Sequence, residues 1–87
     1  MKWKLFLDLE VIEFLGTTPP RQRERFVRLF RRIREFPSNL AEFHETDETG
    51  REHSGIIFDG FAIFYWEDFA DRHVKVMRIC PADERPG

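Results

Sequence analysis

The first residues alternate. Trp3, Leu5 and Leu7 interleave with Lys2, Lys4 and Phe6, a period of two that predicts a strand with one buried face. Asp8 is placed to cap a short helix over residues 9–15, with Glu10 in its first turn and Gly16 as its stop. Val11, Ile12, Phe14 and Leu15 give that helix an apolar side. The period then becomes helical. Phe26, Leu29, Phe30, Ile33 and Phe36 form one stripe about 120° wide, bounded by Thr18 as N-cap, Pro19-Pro20 at the start and Pro37 as terminator.

Beyond Ser38-Asn39 the period returns to two. Residues 41–47 and 51–58 predict strands around the loop Glu48-Thr49-Gly50. Residues 56–58 and 61–66 flank Asp59-Gly60, a two-residue hairpin signal, because glycine adopts positive φ without steric cost. A last strand over residues 73–80 follows the loop 69–72 and is stopped by Pro81, leaving 82–87 as a tail. The pattern predicts a single α+β domain over 1–87: an N-terminal strand, a two-helix hairpin and a C-terminal antiparallel β-meander.

Composition sharpens this. Ten Phe, two Trp and one Tyr supply the core, and each ring buries ~150–250 Å², enough for a few to hold a small domain together. Cys80 is the only cysteine, so an internal disulfide and a cysteine metal cluster are excluded; a structural thiol in a reducing compartment is expected. His44, His53 and His73 lack ligand spacing, so neither a metal nor another cofactor is expected. No run reaches the roughly 20 apolar residues of a membrane span, and Asp8 and Glu10 interrupt the apolar start. A cytoplasmic protein without a membrane partner is expected.

The net charge of −2 hides a strong asymmetry. Residues 21–35 hold seven Arg against Glu24 and Glu35, so this one helix is strongly cationic and the remainder acidic. Arg21, Arg25, Arg28 and Arg32 line one flank of the stripe, and Arg23, Arg31 and Arg34 the other. Such a row suits phosphate or the carboxylates of a partner, since guanidinium pairs bidentately with both. It equally suits a solvated face whose stems cover the core. Arg51, His53, His73, Lys75 and Arg78 are the candidates for phosphodiester chemistry, which needs a base, an acid and a cation near the phosphate. Scattered surface charge is the alternative. Phe64 and Trp66 share a strand face opposite Phe61, Ile63 and Tyr65. They either present rings to a peptide or a base, or lie beneath the hairpin of residues 41–58. That hairpin carries Glu42, Glu45, Asp47, Glu48 and Glu52, acids that repel RNA or guard a sheet edge.

The order of elements resembles the RelE/ParE superfamily of bacterial toxins, known also as plasmid-stabilisation-like proteins. Residues 59–68, Asp-Gly-Phe-Ala-Ile-Phe-Tyr-Trp-Glu-Asp, are similar to that family's third-strand signature of Gly, aromatic, Arg, aliphatic, any residue, Tyr and an acidic turn. Residues 74–79 are similar to its last strand, and Arg31 to Pro37 to its helix end before the sheet. The resemblance implies the toxin-like half of a type II toxin–antitoxin system, neutralised by a small antitoxin. RelE-type members cut mRNA on the ribosome as metal-independent endoribonucleases (mRNA interferases), and ParE-type members poison DNA gyrase. Ala62 stands where the nucleases carry Arg, and after the last strand only Arg85 is available as a late cation. The alternative is a family member that has lost catalysis and acts as a protein-binding module.

Overall fold

The rings and aliphatic residues of residues 61–66 need cover on both sides, and the fold is arranged around that strand. The computed structural model describes residues 3–84. The elements run β1 (Lys4–Leu7), α1 (Leu9–Gly16), α2 (Pro20–Glu35), a single turn α3 (Pro37–Leu40), β2 (Phe43–Thr46), β3 (Glu52–Phe58), β4 (Phe61–Asp68) and β5 (His73–Pro81). A 3-10 turn, Ala82–Glu84, follows, with the Ala82 amide donating to Gly60 O at 2.9 Å. The strands form one sheet in the order β1-β5-β4-β3-β2. The meander β2 to β5 is antiparallel as predicted, and β1 adds a parallel edge beside β5, Lys4 opposite His73.

Helices cover one face. The α2 stripe of Phe26, Leu29, Phe30 and Ile33 is buried against Ile56, Ile63, Tyr65, Val74, Val76 and Ile79, with Val11 from α1 closing the cluster. Phe26 meets Phe14, Phe58 and Phe61 edge-on, with ring centroids 5.4–5.7 Å apart, the arrangement that ring quadrupoles favour. The buried Tyr65 hydroxyl donates to Pro37 O at 2.5 Å and ties the α2–α3 junction to β4. Burial first, and the Glu67 carboxylate second, push that hydroxyl's pKa far upward, so it remains a donor.

Local chemistry explains the joints. Asp8 caps α1 by accepting from the Glu10 amide at 3.3 Å. Thr18, expected to cap α2, instead donates its hydroxyl to Phe14 O at 2.7 Å and closes the end of α1. Pro19 stands at the N-cap of α2 without a side-chain bond. The reason is the short connection between the helices, which leaves Thr18 nearer the carbonyls behind it. Arg23 joins the same junction, donating to Leu15 O and Thr18 O at 2.9 and 3.0 Å. Asp59 and Gly60 both take positive φ in the β3–β4 turn, 55° and 83°, and Asp59 is held to α2 by Gln22 and Arg25.

On the other face α1 reaches only the margin, through Glu10, and no helix among the described residues packs across the strands. There β2 folds Phe43 across Gly55 and edge-on to Phe64, with centroids 5.6 Å apart. A Cβ on Gly55 would overlap the Phe43 ring, so glycine is required there by close approach. Gly55→Ala is expected to lower the free energy of unfolding by ~1–3 kcal/mol, the usual cost of overpacking a fitted contact. Urea unfolding followed by circular dichroism checks this.

Candidate functional site

Strand parity brings the predicted cationic residues to this second face. Phe64 pairs with Arg78 but Tyr65 pairs with Val76, so β5 carries one extra residue, Met77, in a bulge. Val74, Val76 and Ile79 therefore all reach the core despite the uneven spacing. The same bulge keeps Arg78 on the face that Lys75 and His73 occupy. His53 faces them from β3, and Arg51 from the loop before it. The structure thus brings together Arg51, His53, His73, Lys75 and Arg78 around Phe64 and Trp66.

They do not converge on one point. The Arg51 guanidinium lies over the Trp66 ring, 4.1 Å from its centroid, and that of Arg78 lies over Phe64 at 5.8 Å. Lys75 Nζ is 3.4 Å from Asp8 Oδ1. The His73 ring sits edge-on to Phe6 and Trp66, and its Nε2 is 3.8 Å from Asp68 Oδ2. His53 Nε2 is 3.0 Å from Asp47 Oδ2, close enough to pair once protonated but out of line for a hydrogen bond. Each candidate acid, base or cation is thus beside its own ring or carboxylate. Arg85 lies outside the described residues.

Phe64 is covered, whereas Trp66 is half-buried. Phe64 is 4% exposed and Ala62 is fully buried. The position where the resemblance places an Arg therefore has no open space for one. Between the β2–β3 hairpin and α1 lies a groove of about 860 Å³. Phe64, Met77, Arg78 and His53 line it, and Glu10, Glu45, Asp47 and Glu48 contribute carboxylates to its wall. Four carboxylates against one guanidinium make the groove acidic at neutral pH.

Asp47 organises the hairpin tip. Its Oδ1 accepts from the Thr49 hydroxyl at 2.6 Å and from the amides of Thr49 and Arg51 at 2.9 and 3.0 Å. The Thr49 hydroxyl foremost, then the two amides and the nearby imidazole, hold the carboxyl near pKa 2, against partial desolvation. At the β4–β5 turn, Asp68, Asp71 and His73 come within ligand-like reach of one another. Sequence spacing had no signal for this grouping, since the turn assembles it. Asp68 Oδ1 is committed to that turn, accepting from the Asp71 amide at 3.1 Å.

The predicted α2 row is exposed along its length. Arg25 pairs with Asp59 at 3.2 Å and lies over Phe58, and Arg28 pairs with Glu24 at 3.0 Å. Arg21 and Arg32 make no ion pair or hydrogen bond among the described residues. Arg34 belongs to the other flank, and its buried Nε lacks a hydrogen-bond partner among them. Among the described residues no helix is long and apolar enough to cross a membrane.

No protein-family model and no curated protein matches the sequence. Solved structures do match the fold. The archaeal RelE–RelB complex from Pyrococcus horikoshii OT3 contains a chain similar at TM-score 0.79 and 15% identity, over 98% of this chain and 100% of that one. The toxin–antitoxin complex RelBE2 from Mycobacterium tuberculosis matches at TM-score 0.77 and 15% identity, over 93% and 99% of the two chains. A double arginine-to-alanine mutant of E. coli toxin RelE in the free state matches at 0.69 and 15%, over 95% and 86%. The chain has the fold of the RelE-like toxins.

The Asp47 cage gives a pH prediction. Its folded pKa, about 2, lies below the ordinary 3.8. Its stabilisation of the hairpin is therefore complete above the ordinary value and is lost as pH falls through about 2. NMR amide shifts of Thr49 and Arg51 are expected to titrate at that low pH, and Asp47→Ala is expected to abolish the titration.

Proposed function

We propose that this chain is the toxin-like partner of a small antitoxin and that it works by binding protein, not by cutting RNA. One observation carries the second half: the sheet face that would receive RNA has a buried Ala62 in place of an Arg and an acidic groove beside it. Transition-state charge on a cleaved phosphate needs a fixed cation, and here Arg51 and Arg78 lie over rings while Lys75 faces Asp8. Of the two targets that the resemblance offers, a protein such as DNA gyrase fits this surface better than mRNA on the ribosome.

The antitoxin partner is supported by the fold, since two of the similar structures are RelE–RelB and RelBE2 toxin–antitoxin complexes. The α2 row suits an acidic segment of such a partner, extended or helical. Charge reversal at Arg21, Arg25, Arg28 and Arg32 is expected to weaken capture of the protein encoded by the adjoining reading frame by about tenfold or more. Unchanged capture contradicts this placement. Inducible expression in a bacterial host tests the mechanism: total mRNA is expected to stay intact while the protein accumulates. Codon-positioned cuts overturn the reading.

A further inference from the structure

We propose that the acidic groove on the helix-free face of the sheet is a docking site for a cationic polypeptide segment of a partner, one presenting Lys or Arg beside an apolar anchor. This rests on the protein-binding reading above and assigns a second, separate surface to it. Phe64 and Met77 supply apolar lining. Glu10, Glu45 and Glu48 line the same groove, and their carboxylates have no ion-pair or hydrogen-bond partner among the described residues. The acids of the β3–β4 turn, of β1's end and of β4 are by contrast engaged, Asp59 with Arg25, Asp8 with Lys75 and Glu67 with Ser38 and Ser54.

Charge complementarity selects the occupant. A nucleic acid would bring phosphates against four carboxylates with Arg78 as the single guanidinium in the groove. An acidic peptide meets the same repulsion, and the exposed α2 row suits it better. A cationic segment satisfies the open carboxylates, and its stems or an adjacent apolar residue can cover Met77 and the Phe64 edge. The neighbouring rings already hold guanidinium groups, Arg51 over Trp66 and Arg78 over Phe64. A groove of about 860 Å³ lies within the usual size of a site that seats a few side chains.

The test uses the full-length protein and two-dimensional amide NMR with three probes of matched length. These are a blocked peptide alternating Arg and Leu, the same peptide with Glu for Arg, and a single-stranded oligoribonucleotide. The basic peptide is expected to shift the Phe64, Met77 and Thr49 amides saturably. In the rim variant Glu45→Gln/Glu48→Gln its affinity should fall by about tenfold, and the salt sensitivity of binding should fall with it. Groove amides that do not move, or a variant that binds equally well, overturn the proposal and leave the reading of α2 standing. Loss of acidic-peptide shifts along α2 alone would count against that other reading only. Oligoribonucleotide shifts in the groove overturn both. Groove shifts that appear when the protein alone is concentrated, and vanish on α2 charge reversal, make the occupant a second copy and overturn the partner assignment.

Discussion

The middle of the central strand β4, from Ala62 to Tyr65, is buried on both faces, while the helices cover only one. Everything on the second face follows from that imbalance. Ala62 and Phe64 need cover that no helix provides, and the β2–β3 hairpin supplies it by laying Phe43 across Gly55 against Phe64. Two guanidinium groups extend the cover, Arg51 over Trp66 and Arg78 over Phe64. Both cations thereby serve as lids for aromatic rings. What remains open is a groove beside those lids, walled by the acidic hairpin and by Glu10 of α1.

Charge is divided between the two layers. The helical layer carries the seven Arg of α2, and the groove on the opposite face gathers three carboxylates of the β2–β3 hairpin and that of Glu10 at the start of α1. A net charge of −2 conceals two fields of opposite sign. Fields of this kind orient partners before contact and reject wrong ones more than they add affinity. A protein that meets acidic and basic polypeptide segments on separate surfaces fits such a division.

Much of the fold was legible because its signals are local. The α2 stripe, the Asp8 cap and the Asp59-Gly60 turn each depend on residues a few positions apart and stand as predicted, except that Phe36, expected in the stripe, lies at the C-cap of α2 and is exposed because the chain leaves the helix there. Thr18 was misread because a hydroxyl between two helices can serve either end, and only the path of the chain decides which. The site was less legible. Period-two counting along β5 breaks at Met77, and a bulge is a property of the strand pair, not of one strand. The covering of Phe64 by Phe43 was left open in the pattern, since it depends on how far the hairpin curls. Gly55 carried a faint signal, a glycine inside a predicted strand, which marks close approach by another group. The Asp47 cage needed the loop's geometry, although Asp-Glu-Thr-Gly is a common turn composition.

The account stands or falls on whether the helix-free face of the sheet processes RNA. The most direct measurement is incubation of the purified protein with ribosomes halted on a defined mRNA, followed by mapping of the RNA ends by primer extension. The account predicts full-length message at every protein concentration at which the protein stays folded and soluble. Cuts positioned by codon would contradict it, and would mean that Arg51 or Arg78 leaves its ring to hold the phosphate.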